Sequence, residues 1–113
     1  MPPTDVFAGI PVADLAAMSA WYERLLGREP DMRPHDGEVC WQIAGSSWLY
    51  LLADEVNSGG SLVTIMVDDL DAELAAIRSR GIETPEVEEM KPARKCELID
   101  PEGNRVGFGQ PRG

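Results

Sequence analysis

At 113 residues, 43% hydrophobic and 27% charged, the chain fits one globular domain with a core large enough to need no disulfide or metal staples. A formal charge of −10, with ten Lys and Arg scattered against twenty Asp and Glu, argues against nucleic acid, because phosphate binding depends on grouped cations. No apolar run approaches the roughly 20 residues of a membrane span, and MPPTDVF lacks the basic and apolar segments of a signal peptide, so a cytoplasmic location with no membrane partner is expected.

Taken in chain order, the first element is a predicted strand in which Ala8, Ile10 and Val12 alternate with Phe7, Gly9 and Pro11. A helix follows. Asp14 suits its N-cap, Leu15, Met18, Tyr22 and Leu25 line one face, Arg24 lies near the C-terminal end, and Gly27 supplies a left-handed stop. A weaker strand is predicted near Glu29–Arg33, then a loop HDGE holding His35, the sole histidine. Strands EVCWQI (38–43) and SWLYLL (47–52) flank the turn AGS. The stretch NSGGS, 57–61, reads as a flexible joint.

The order then repeats. Val63, Ile65 and Val67 alternate with Leu62, Thr64 and Met66, Asp69 is the second N-cap, and Leu70, Leu74 and Ile77 form the second apolar face. Arg78 and Arg80 precede the stop at Gly81. A weak strand is predicted near Glu83–Val87, and KCELI (95–99) and RVGFG (105–109) flank DPEGN. In that turn Pro101 presets the first corner and Gly103 suits the left-handed position of a bulged hairpin. Ile10 matches Ile65, Val12 matches Val67, Asp14 matches Asp69, and Cys40 and Cys96 fall at corresponding places. The expected architecture is α+β: two tandem βαβββ modules, 6–56 and 61–110, in one domain. Neither cysteine has zinc spacing, and both read as small buried residues.

The strings IPVADLAAMSAWYERLLG, VDDLDAELAAIRSRGIE and DPEGNRVGF, in this order and spacing, resemble the vicinal oxygen chelate superfamily of glyoxalases, extradiol dioxygenases and bleomycin-resistance proteins. The resemblance covers residues 6–110. It implies a concave mixed sheet with helices outside, and in metal-dependent members four ligands on strand positions facing the cavity. Carried onto this chain, those positions fall at Phe7, Leu49 (within one residue), Leu62 and Gly107. None has a side chain that binds a divalent ion. The resemblance therefore points to the metal-free, bleomycin-resistance-like branch, with no cofactor and no catalytic residue. One histidine among flexible acids, His35 with Asp36 and Glu38, makes a poor transition-metal site.

Alternation assigns the faces. Trp48 and Tyr50 are predicted to point at the helices with Ala8, Ile10, Val12, Val63, Ile65, Val67, Val106 and Phe108. Phe7, Gly9, Pro11, Ser47, Leu49, Leu51, Leu62, Thr64, Met66, Arg105, Gly107 and Gly109 are predicted to face the concavity, a small, largely apolar surface that leaves volume for a ligand or fills a closed interior. Thr64 and Arg105 could orient that ligand. Trp41 suits either a stacking surface or the core, Arg94 either a ligand or open solvent, and Met90 an adaptable lining position beside the acidic run EVEEM. The expected function is binding of an apolar or planar small molecule by sequestration, and the acidic charge fits a cationic one. The alternative is a metal-dependent lyase, isomerase or dioxygenase with a non-standard site. The resemblance also implies a homodimer.

Overall fold

The structure, a computed structural model, describes residues 2–112. Strand β1 (Val6–Val12) leads into helix α1 (Leu15–Leu26), then β2 (Met32–His35), β3 (Glu38–Ala44) and β4 (Ser47–Ala53). The second module runs β5 (Leu62–Met66), α2 (Leu70–Ser79), β6 (Glu88–Glu89), β7 (Ala93–Ile99) and β8 (Arg105–Pro111). Each module makes its own four-stranded mixed sheet, ordered β1-β4-β3-β2 and β5-β8-β7-β6. In each, the first and last strands are parallel and the remaining pairs antiparallel. The α+β tandem-module architecture is as expected.

The short strands lie two to five residues later than predicted, at Met32–His35 and Glu88–Glu89.

The helix ends follow their sequence signals. The Asp14 carboxylate accepts from Ala17 N at 3.0 Å and that of Asp69 from Ala72 N at 3.1 Å. Gly27 and Gly81 adopt φ of 78° and 90°, the left-handed region open to glycine. Arg80 does something the sequence hides. Its guanidinium reaches across to the C-terminus of α1, donating to Arg24 O and, at 2.8 Å, to Leu25 O. It therefore satisfies orphan carbonyls of the other module's helix.

One continuous core joins the modules. Ile10, Val12, Tyr22, Leu25, Leu49 and Leu51 of the first pack into the same cluster as Leu70, Ile77, Leu98, Val106 and Phe108 of the second. The turn at 100–104 clamps them. Gly103 N donates to Asp100 O at 2.9 Å with Gly103 at φ 94°, the expected bulged turn. Its side chains reach further. The Glu102 carboxylate accepts from Ala13 N (2.6 Å) and Asp14 N (2.9 Å) at the head of α1. Asn104, fully buried, donates to Pro11 O and accepts from Gly59 N and Ser61 N. The joint expected to be flexible is thus tied at two backbone amides. A Cβ on Gly59 would lie 2.7 Å from Glu102 O, so the joint needs glycine to pass under the turn.

Candidate functional site

Each sheet carries its helix on one face and leaves the other open. Register decides which side chains occupy the open faces. In the first module Phe7 pairs with Trp48, Gly9 with Tyr50 and Ile10 with Leu51. Ile10, Leu49 and Leu51 are almost fully buried on the helix side, so Phe7, Gly9, Trp48 and Tyr50 share the open side. This corrects the prediction for β4. Leu49 is 1% exposed and lies in the core, and Trp48 and Tyr50 take the open face instead. Bulk was the wrong guide. A leucine without polar atoms gains most from full burial, whereas Trp and Tyr have a polar edge that tolerates partial exposure.

These aromatics form a shelf. Phe7 stacks on Trp48 with ring centroids 5.4 Å apart and an interplanar angle of 9°, and meets Tyr50 edge-on at 6.3 Å. Trp48 Nε1 donates to Asp5 Oδ2 at 3.1 Å, which fixes the indole. The Tyr50 ring lies across Gly9, where a Cβ would fall 2.5 Å from Tyr50 Cζ. Glycine at position 9 is therefore the seat for the ring.

Beside the shelf, Cys40 pairs with Tyr50 and is fully buried. The Glu38 carboxylate accepts from Cys40 Sγ at 3.3 Å and contacts His35 Nε2 at 3.1 Å. Gly37 N donates to His35 Nδ1 at 3.1 Å, so that nitrogen is an acceptor and Nε2 carries the proton toward Glu38. Burial, and then the bond to Glu38 and its charge, push the Cys40 thiol up to about 11. A thiol so held is a poor nucleophile at neutral pH.

The second open face is flatter and more polar. Leu62 pairs with Arg105, Thr64 with Gly107 and Met66 with Gly109, and from β7 Ile99, Glu97 and Lys95 lie opposite these same β8 residues. Phe7, Leu62 and Met66, all predicted to face the concavity, are 48%, 54% and 52% exposed. Arg105 is exposed, with Glu97 at 4.0 Å. Met90 borders a hollow of about 240 Å³ with Glu88, Lys95 and Glu97. Gly107 is buried, and a Cβ there would sit at ordinary contact distance, 3.4 Å from Thr64 Oγ1 and 3.8 and 3.9 Å from the backbone oxygens of Val63 and Cys96.

Two other candidates lie elsewhere. Trp41 is fully buried on the helix side, with Nε1 donating to Arg28 O at 3.1 Å, so it belongs to the core. Arg94 points toward α2 and pairs with Asp71 and Glu89 at 3.1 and 3.0 Å. Those hydrogen bonds raise its pKa further, and the guanidinium is a strut between β7 and α2. Gly9 faces the open side as expected, Leu51 lies in the core with Leu49 instead of facing it, and Trp48, Tyr50 and Glu97 were not expected there. The pairing of a glycine with a large aromatic across β1 and β4 is the signal that could have shown Trp48 and Tyr50.

Register also refines the metal question. Gly107 pairs with the residue two beyond Leu62, and the residue in the same relation to Phe7 is Tyr50. The second ligand position is therefore Tyr50, one residue from Leu49. Phe7, Tyr50, Leu62 and Gly107 offer no carboxylate, imidazole or thiolate, so this donor set does not fit the superfamily's divalent ion. Among the described residues, no group of three His, Cys, Asp or Glu is placed to hold a metal ion. No helix among them is long and apolar enough to cross a membrane.

Comparison with known proteins agrees with the tandem-module fold. The glyoxalase-like domain family profile matches residues 6–108. A glyoxalase / bleomycin resistance protein from Catenulispora acidiphila is 37% identical over 96% of this chain and 98% of its own, with a TM-score of 0.90. An antibiotic-binding protein from a Streptomyces species is 24% identical over 98% of each chain, with a TM-score of 0.79. A bleomycin-binding protein solved with bleomycin is 22% identical over 97% of this chain and 98% of its own, with a TM-score of 0.75. The last two likenesses concern the fold. Among proteins of curated function, none matches the chain.

Proposed function

The chain belongs to the glyoxalase-like domain family, and from that premise we propose that it is a metal-independent binding protein that sequesters a planar or apolar small molecule. The observation that carries this reading is the pair of open faces, one an aromatic shelf and the other a mixed surface of Leu62, Met66 and Ile99 with Lys95, Glu97 and Arg105, lacking the metal-donor set. A flat ring system stacks on the near-parallel Phe7–Trp48 pair and meets Tyr50 edge-on, gaining dispersion and area burial without any bond being made. On the second face Lys95 and Arg105 balance Glu88 and Glu97, so the preference for a cationic over an anionic compound rests on the chain's charge of −10. Antibiotic binding by the fold relatives from the Streptomyces species and with bleomycin fits this class of ligand.

A single copy leaves both faces uncovered. Phe7, Leu62, Met66 and Ile99 together present an apolar surface that a monomer in water rarely keeps. The proposal therefore includes a homodimer in which the first module's open face meets the partner's second, enclosing the ligand between shelf and carboxylates.

Metal analysis of protein purified without chelator, followed by titration of tryptophan fluorescence with planar cationic, planar neutral and aliphatic compounds, tests this directly. Trp48 is the reporter, and Trp48→Phe identifies its signal against buried Trp21 and Trp41. Saturable quenching by planar compounds, lost in Trp48→Phe and weakened in Phe7→Ala, is expected. Stoichiometric metal would overturn the reading in favour of a metal-dependent lyase, isomerase or dioxygenase. Silence across the panel would leave a closed interaction module in its place.

A further inference from the structure

The largest hollow among the described residues is not on the open faces. It is a cleft of about 840 Å³ where the β2–β3 hairpin stands off the N-terminal half of α1. That volume falls within the usual range for small-molecule sites. Its helical wall is Leu15, Ser19 and Glu23, spaced four apart and so on one stripe. Its hairpin wall includes Arg33, His35, Asp36 and Glu38, and Val39 with Ala16 adds apolar floor.

The polar groups here divide into engaged and free. Glu38 is taken by His35 and Cys40. Glu23 and Asp36 make no ion pair among the described residues, and neither does Arg33. Ser19 is the more telling. It is 8% exposed, it lines the cleft, and its hydroxyl has no hydrogen-bond partner among the described residues. Its oxygen is not among the sealed, unsatisfied atoms, and the residue lines the cleft. A nearly buried hydroxyl left open toward a hollow is a group waiting for a partner.

We propose that this cleft is a second ligand site, separate from the open faces, for an organic ammonium ion on a short apolar body. An ammonium has three donors and no acceptor. The Ser19 hydroxyl and the carboxylates of Glu23 and Asp36 are acceptors without competing cationic partners. Arg33 opposes the charge, but it is one guanidinium against three carboxylates in a strongly acidic chain. Leu15, Ala16 and Val39 cover the apolar body. The site needs neither the metal-ligand positions nor a second copy of the chain.

His35 is the chain's sole histidine, so its ring resonances report on this cleft without overlap. Hexylammonium chloride is titrated against them at neutral pH, with hexanol and hexanoate as probes of the same apolar body. Saturable shifts with hexylammonium, at least about tenfold weaker with hexanol and absent with hexanoate, are expected. Ser19→Ala and Glu23→Gln should each weaken binding by about threefold to fivefold, the scale of one partly solvated polar contact. Asp68→Asn, remote in charge, and Phe7→Ala, on the open face, should leave it unchanged. Equal binding of hexanol would reduce the cleft to an apolar hollow. Loss of the shifts in Phe7→Ala would place the ligand on the open face, and unshifted resonances would remove the site altogether.

Discussion

Replacing Asn104 by alanine is expected to cost this protein about 3 kcal/mol, the sum over several buried groups of the usual penalty for an unmade hydrogen bond. The side chain is fully buried and makes four hydrogen bonds: from Gly59 N and Ser61 N at 3.1 Å each, to Pro11 O at 3.3 Å and to Asp100 Oδ2 at 3.0 Å. The two amides lie at a partly buried joint, so water recovers some of their loss. Asp100 keeps Tyr22 OH and the amides of Glu102 and Asn104 as donors, which limits the loss there. About 1 kcal/mol each for the two amides and about 1 kcal/mol for Pro11 O and the vacated volume give the total. With an m-value of roughly 1.5 kcal/mol per molar urea, the unfolding midpoint falls by roughly 2 M. The measurement is equilibrium urea unfolding at one fixed protein concentration, because association would otherwise shift the midpoint. Asn104→Asp is the companion. It keeps the acceptor for Gly59 and Ser61 but sets a second carboxylate beside Asp100, so it should cost at least as much at neutral pH. A loss below about 1 kcal/mol for Asn104→Ala, the level of a single solvent-exposed contact, would refute the clamp. An unchanged midpoint in Asn104→Asp would refute the charge argument.

Two further outcomes follow from the open face. In Gly9→Ala the new Cβ meets the Tyr50 ring; the ring must swing off β1, so planar-ligand affinity measured through Trp48 should fall about two- to tenfold, the worth of one aromatic contact, while folding changes little. The Cys40 thiol sits above its ordinary value of 9.0, near 11, so the unfolded chain ionises first. Its stabilising contribution is therefore complete below about 9 and lost as pH rises through about 11. Cys40→Ala should show a shallower loss of stability across that window in pH-dependent urea unfolding, and parallel curves would contradict the burial account.

The duplicated pattern was legible because it rests on local physics. Capping aspartates, glycine stops and period-two alternation act within a few residues, so Asp14, Asp69, Gly27 and the turn at 100–104 could be read directly. The face of β4 could not. Strand alternation gives two sets but not which set turns inward, and that choice belongs to the parallel register with β1. The inter-module contacts were hidden for a similar reason. Nothing local distinguishes Arg80, which ends one helix and caps the other, from an ordinary C-terminal arginine. The reach of Glu102 and Asn104 depends on how the modules dock, a property of separations of up to about ninety positions. Arg94 was misplaced because its partner Asp71 lies on another element.

The two modules fill the same structural position in opposite ways, and this bears on what the cavity can hold. Tyr50 and Gly107 are equivalent by register, as are their cross-strand partners Gly9 and Thr64. In the first module the large residue is on the last strand and glycine lies beneath it. In the second the last strand carries the glycine and the small Thr64 stands opposite. One face therefore projects by an aromatic ring where the other is recessed to the backbone. Had both positions held tyrosine, closing the faces would drive two rings into the same volume; had both held glycine, the cavity would have no stacking surface. In the closed dimer proposed above, the projecting shelf faces the recess at Gly107. On one side would stand the Phe7–Trp48 stack with Tyr50 edge-on to it, and on the other backbone and Thr64. In that proposed arrangement the slot would select thin, planar ligands over bulky ones by shape, before any charge on Glu97 or Arg105.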